Sequence, residues 1–376
     1  MVEEILNKVD KEIKAAEYKS FIMNMSRIDN KKEFNEILKS MSEEKKKDFE
    51  EALIGLTYYD ELSSEGQKFL EKYEEYCIDV TTNNLKEYFN NSYLRFIFIG
   101  KVSEYRANKG KNVKMNGIDL SDLVDSLNSE YYYLIQKMDR QELTDDEKDF
   151  IKNYFYVCAN SFEIQKSAEG GEAYDVVKFF DKYPLDDLEG PENRRMYILY
   201  TLSKELIKYD CNSLIVFRDF NDAKKRKQLG FFIKIDENTG AIGINRTHPN
   251  YLNSDNEFMR ALFTLYHELG HFDQEFGNRE FTDEEIELIN MENDMIQKKE
   301  SFYHKYHDNF YIERDADLFA AKLLRKNFHH KELDSFISGK LSGRRLIDHK
   351  LFISLFLKEY YSIPETGKLP SSSKNY

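Results

Sequence analysis

The stretch SDNEFMRALFTLYHELGHFDQEFGN, residues 254–278, opens with Ser254 and Glu257 at the spacing of a capping box. In that motif a hydroxyl and a carboxylate each satisfy an amide that the first helical turn leaves unpaired. Gly277 and Asn278 supply a stop, so a helix of about six turns is expected between the two signals. Phe258, Leu262, Leu265, Leu269, Phe272 and Phe276 follow one another at intervals of four, three, four, three and four, which is the spacing of one buried stripe. At roughly 100° per residue, His267 and His271 stand together about 200° from the centre of that stripe. Two imidazoles one turn apart can therefore reach a single ion while the stripe anchors the helix to a core. Glu268 is turned one residue step from His267, beside such an ion but not ligating it, where a carboxylate can act as general base toward water.

A hydrolytic zinc site takes three protein ligands and keeps one position open. The third is expected from YIERDADLFAAKLLR, residues 311–325, where Glu313 and Asp317 share a helical face four residues apart. Glu313 closes the metal site, and Asp317 accepts the remaining ring proton of a ligand histidine, fixing its tautomer and raising its basicity. Ala316, Ala320 and Ala321 are small enough to let the two helices approach closely. Asp315 reads as a solvated carboxylate. A donor for the tetrahedral oxyanion of amide hydrolysis is also wanted; Tyr303, Tyr311, His304, His307 and Arg344 are all candidates, and the sequence does not choose among them. The other histidines, including His248, His329, His330 and His349, read as surface or internally satisfied side chains.

Working outward, SLIVFRDF (213–220) and GFFIKID (230–236) are rich in β-branched and aromatic residues, and ENTG turns the second into AIGIN (241–245). A small antiparallel sheet is expected just before the metal helix. Upstream, residues 1 to about 208 read as helix after helix, with capping boxes at Ser64–Gln67 and Thr144–Glu147. Downstream, FTDEEIELINMENDMIQ (281–297) opens with another box, Thr282–Glu285, and predicts a further helix between the histidines and Glu313. The expected organisation is a helical region over 1–190, a metallopeptidase domain over 191–365 and a frayed tail over 366–376. The fold class is α+β, mostly α.

Composition narrows the function. The chain of 376 residues has 55 basic against 69 acidic side chains, a net charge of −14, which argues against nucleic-acid backbones or anionic lipid as partners. Three cysteines far apart build neither a disulfide framework nor a thiolate zinc knuckle. The charged first twenty residues lack the apolar core of a signal peptide, and no run approaches a membrane span, so a cytoplasmic protein is expected.

RALFTLYHELGH (260–271) followed by ERDADLFAAKLL (313–324) resembles the ImmA/IrrE metallopeptidases over about residues 190–326. The resemblance implies a thermolysin-like zincin core, one Zn2+ per chain on His267, His271 and Glu313, and Glu268 in the catalytic position. It also implies an extended substrate pairing with an edge strand near Ala241–Asn245, and substrates among intracellular regulatory proteins such as helix-turn-helix repressors. The longer stretch from His271 to Glu313 departs from the family pattern and reshapes or covers the cleft, and the helical first half has no counterpart in it. The expected activity is zinc-dependent endopeptidase cleavage of a protein or peptide. The alternative is a zinc-containing regulatory protein that binds a partner through its helical half without turnover, for which Glu268 would have no use. A toxin-like effector protease would carry the same HExxH helix, but ERDADLFA fits the cytosolic family better.

Overall fold

A computed structural model of the chain describes residues 14–342 except 15, 59–61, 82–84, 109–112, 116, 162, 168–169, 189, 219–227, 246–253, 278, 299–309 and 328–332. The chain divides into two compact units, Met1–Val157 and Cys158–Tyr376. It is mostly helical, with two small sheets. Among the described residues no helix is long and apolar enough to cross a membrane. The tail expected to fray lies outside the described residues.

The first unit is built from helices Lys31–Lys39, Glu43–Tyr58, Ser64–Thr81, Leu85–Asn90, Ser92–Ala107, Leu120–Met138 and Asp145–Ser161, in whose last turn the division falls. Its core is aromatic. Phe49 meets Phe69 edge-on at 5.8 Å between centroids, Phe69 stacks on Tyr73 at 5.6 Å, and Tyr73 meets Tyr93 at 5.0 Å. The buried carboxylate of Glu50 accepts from the Tyr73 hydroxyl at 2.8 Å and Asn91 Nδ2 at 3.1 Å, which keeps a charge inside this core satisfied. The all-helical expectation for this part of the chain misses a short hairpin, Lys114–Met115 against Ile118–Asp119, whose loop holds Gly117 at φ 77°. The expected cap at Ser64 is displaced by one residue, for it is Ser63 Oγ that accepts the Gly66 amide at 3.3 Å. The Thr144–Glu147 box is formed in both directions, at 3.0 and 3.4 Å.

The second unit begins before the expected boundary at 190/191. Strand β1 (Glu163–Lys166) and helices α1 (Glu172–Lys182) and α2 (Pro191–Leu206) precede strands β2 (Asn212–Arg218), β3 (Gly230–Asp236) and β4 (Thr239–Asn245). Four helices follow: α3 (Asp255–Phe276), α4 (Asp283–Lys298), α5 (Tyr311–Asn327) and α6 (Leu333–Ser342). Residues 163–166 belong here because β1 pairs antiparallel with β2, and α1 packs on both β1 and α2. The strand is disguised in the sequence because its inward positions are Ile164 and a lysine. Lys166 is 2% exposed, and its ammonium donates to the carbonyls of Tyr209 and Cys211, tying β1 to the turn before β2.

The sheet order is β1-β2-β4-β3, and β2 runs parallel to β4, so the sheet is mixed rather than antiparallel as expected. The hairpin β3–β4 docks by its second strand. Composition explains the choice, since β4 is buried along its length and carries Gly240 and Gly243 where neighbouring rings lie flat on it. A Cβ at Gly243 would stand 2.0 Å from the Phe231 ring, and one at Gly240 would stand 2.6 Å from the rings of Phe272 and Phe276. β3, with exposed Lys234 and Asp236, takes the edge.

α3 starts at its Ser254 cap, with the Glu257 amide donating to Ser254 Oγ at 3.2 Å, and ends at Gly277. Phe258, Leu262, Leu265, Leu269 and Phe272 of its stripe are buried, and the helix packs on β3 and β4. Its other flank packs along α5.

Burial opposes charge on Glu147 in the first unit, but the Lys137 ammonium, 2.7 Å from both its oxygens, and the Thr144 amide more than offset this and lower its pKa from 4.5. A carboxylate with a lowered folded-state pKa stabilises above the ordinary carboxylate range and loses that contribution as pH falls through the folded value. Urea titrations should show Glu147→Gln destabilised by about 1–3 kcal/mol at neutral pH, with the gap to the unsubstituted protein closing below about pH 4. A gap that is constant with pH would exclude the charge as its source.

Candidate metal centre

Two helices and one strand build the site. α3 and α5 can run close because Gly270 faces Ala316: a Cβ on Gly270 would fall 2.8 Å from the Ala316 Cα and 3.1 Å from its carbonyl oxygen. Ala316, Ala320 and Ala321 are fully buried, as their size predicts for a close seam. That seam brings Glu313, one turn before Asp317, against the histidine face of α3.

The ligand atoms of His267, His271 and Glu313 all lie within 4.8 Å of one another. His267 Nε2 is 3.1 Å from His271 Nε2 and 3.1 Å from Glu313 Oε2, and His271 Nε2 is 3.5 Å from Glu313 Oε2. Three atoms held about 2.0–2.2 Å from a common tetrahedral centre stand roughly 3.3–3.6 Å apart, so this triangle is one such face, slightly contracted. The rings meet edge-on at 88°, and all three side chains are only 13–16% exposed.

The protons on the two rings can be located from their other nitrogens. His267 Nδ1 is 2.7 Å from Asp317 Oδ1, a carboxylate that accepts, so this nitrogen donates. His271 Nδ1 is 2.9 Å from Gln274 Oε1, and the Gln274 Nε2 donates to the Ile312 carbonyl at 2.9 Å and to Asp315 Oδ2 at 2.8 Å. With neutral rings, these partners place the proton of each on Nδ1 and leave the Nε2 lone pair toward the Glu313 carboxylate. Three ligand atoms gathered at these distances could hold a metal ion between them. Two imidazoles and a carboxylate are a donor set suited to zinc.

Glu268 is mounted separately, against the sheet. Its Cγ would be 3.3 Å from a Cβ at Gly230, and the Phe232 amide of β3 favours its charged form. Desolvation raises its pKa; the two imidazoles oppose that rise, and the Glu313 charge reinforces it. Sequence reasoning did not identify Gly230 and Phe232 as partners of Glu268, because the contact crosses from a strand to a helix.

The structure brings together His267, His271, Glu313, Asp317 and Glu268. Of the candidates for an oxyanion donor, Tyr303, His304, His307 and Arg344 lie outside the described residues, as do the other histidines. The Tyr311 hydroxyl is engaged elsewhere, donating to Glu285 and accepting from Arg279 Nη2 at 3.1 Å. Asp315 is not the solvated group expected: it is 10% exposed, ion-paired to Arg279 and hydrogen-bonded by Gln274. The helix expected over 281–297 is α4, with its Thr282–Glu285 box formed at 2.8 and 3.3 Å. It packs on α5, where Glu292 accepts the otherwise unpaired Tyr311 amide at 2.7 Å.

The chain matches no protein-family model, no curated protein and no solved structure.

Gly270→Ala tests the seam. Because the contact is with backbone, the helices must separate, and an overpacking loss of about 1–3 kcal/mol is expected in denaturant titrations. Zinc affinity should fall with it as Glu313 withdraws. A variant as stable as the parent would show that the seam yields without strain.

Proposed function

We propose that the chain is a zinc metallopeptidase in which His267, His271 and Glu313 hold the ion, Asp317 orients His267 and Glu268 is the general base. The triangle of His267, His271 and Glu313, whose ligand atoms lie within 4.8 Å of one another, is the observation that carries this reading. When bound, zinc supplies Lewis acidity toward the scissile carbonyl and makes water a nucleophile at neutral pH.

The chain's own residues supply the rest. Glu268, held by the Phe232 amide and desolvated, takes the proton of the attacking water as its oxygen adds to the peptide carbonyl, and delivers that proton to the amine that leaves. Asp317 holds the His267 ring by its Nδ1 proton, so that Nε2 stays aimed at the ion. Ala241–Asn245, expected to be the edge, is β4 and is flanked on both sides; β3, the outer strand of its sheet among the described residues, packs against α3 and is the edge on which an extended substrate would pair.

A zincin core and membership of an ImmA/IrrE-like family are part of this proposal, carried by the HELGH helix and the ERDAD helix that faces it. An intracellular regulatory protein, cleaved as an extended segment, is the substrate class that goes with it. Non-hydrolytic binding through the helical first unit is the competing reading, and Glu268, mounted beside the triangle without joining it, counts against it.

Elemental mass spectrometry of the purified protein should give about one zinc per chain, lost in His267→Ala and in Glu313→Ala. Glu268→Gln should keep its zinc and lose cleavage of a peptide library by a factor on the order of 10²–10⁴. Absence of zinc after reconstitution would overturn the metal reading. Zinc with undiminished cleavage in Glu268→Gln would remove Glu268 from its role.

A further inference from the structure

Outside the HExxH and ExxxD residues, the Gln274 side chain of α3 hydrogen-bonds a ligand histidine. Gln274 lies three residues after His271, which places its carboxamide over the His271 ring on the same helical face. An amide has two unlike ends, and here the surroundings tell them apart. Nε2 faces two acceptors, the Ile312 carbonyl and Asp315 Oδ2, and Oε1 is left for His271 Nδ1. Turning the amide over would set an oxygen against both a carbonyl and a carboxylate, so its orientation is fixed from the α5 side. Asp315 in turn is kept an acceptor by the Arg279 guanidinium. Every donor in the chain points the same way, from Arg279 and Gln274 into Asp315, and from His271 into Gln274.

We infer that Gln274 is a positioning residue that selects the Nδ1–H tautomer of His271 and so presents a bare Nε2 to the ion; this rests on the metal reading given above. The two ligand histidines are thus keyed differently, His267 by a carboxylate and His271 by a neutral amide. The amide suits its place. Glu268, Glu313 and Asp317 already set three carboxyl groups around the triangle, and a carboxylate at 274 would face Asp315 at the distance where the amide now donates. Because the same amide bonds Ile312 and Asp315 on either side of Glu313, it also fixes His271 relative to the third ligand.

The test uses the full chain with 15N-labelled histidine, freed of metal, and reads the ring nitrogens by long-range proton–nitrogen correlation, with His271 assigned by its absence from His271→Asn. His271 is expected as the Nδ1–H tautomer in the unsubstituted protein. In Gln274→Met, which keeps length and removes both polar ends, that preference should be lost, and zinc affinity measured by chelator competition should fall about 10–100-fold. Asp315→Asn gives the same readout from the far end of the chain of donors, should the methionine variant fail to fold. A purely structural role would lower the melting temperature and leave the tautomer where it was.

An Nε2–H tautomer in the unsubstituted protein overturns the inference without any variant. So does a Gln274→Met protein that keeps both the Nδ1–H tautomer and its zinc affinity. A protein that takes up no zinc but shows Nδ1–H on His271, lost in Gln274→Met, overturns the metal reading and leaves the positioning role standing.

Discussion

The seam between α3 and α5 is the constraint on which the site depends. Gly270 lies between His267 and His271 in sequence, and it is the residue whose missing side chain lets the Ala316 backbone approach. Glu313 and Asp317 stand on either side of Ala316 in α5, so each close pairing across the seam is matched by a polar one beside it. Asp317 reaches His267 Nδ1, and Glu313 reaches both Nε2 atoms. The apolar part of the interface sets the spacing, and the polar part uses it. A larger residue at either centre of the seam would move the acceptors out of the range in which one ion can satisfy all of them.

Electrostatics gives the same site its direction. Each imidazole turns Nδ1 to an oxygen outside the triangle, Asp317 Oδ1 or Gln274 Oε1, and Glu313 contributes a carboxylate oxygen inside it. Carboxylates without a compensating cation would carry a heavy desolvation penalty at 13% or less exposure. Around Asp315 the charge is balanced by Arg279, a partner supplied by the chain. Within the triangle the groups that face Glu313 are two imidazoles, a donor set that could hold a metal ion.

How far the sequence could be read follows from the range of the forces involved. α3 was legible in full, because a cap, a stop and an apolar stripe are local, and the face opposite the stripe is fixed by helical geometry alone. The pairing of Glu313 and Asp317 was legible for the same reason. What failed was decided across the chain. β1 hides behind a buried lysine whose partners, the carbonyls of Tyr209 and Cys211, are more than forty residues away. The parallel pairing of β2 with β4 depends on which strand of the hairpin carries the glycines that accept the Phe231, Phe272 and Phe276 rings, a matter of tertiary fit. Asp315 looked solvated because its partners, Gln274 and Arg279, lie on and just after another helix. Gln274 itself was within reach, at the i, i+3 spacing from His271, but a glutamine carries no metal-ligand signal and acquires one only when both ends of its amide have been assigned.

The helix α3 therefore carries two functions on two mounts. Its histidines are set by α5, through the Gly270 seam, Asp317 and the Gln274 amide. Its glutamate is set by the sheet, through the space left at Gly230 and the amide of Phe232. These supports share no residue apart from the helix backbone, which is itself held by a stripe buried along five positions. A rigid helix with independent mounts on opposite flanks fixes the two histidines relative to Glu268 without requiring either flank to know about the other. It also explains why α4, inserted between the histidines and Glu313, does not loosen the site. Among the described residues α4 bonds to the first turn of α5 and to Arg279, through Glu285 and Glu292, and so reinforces the α5 mount from outside.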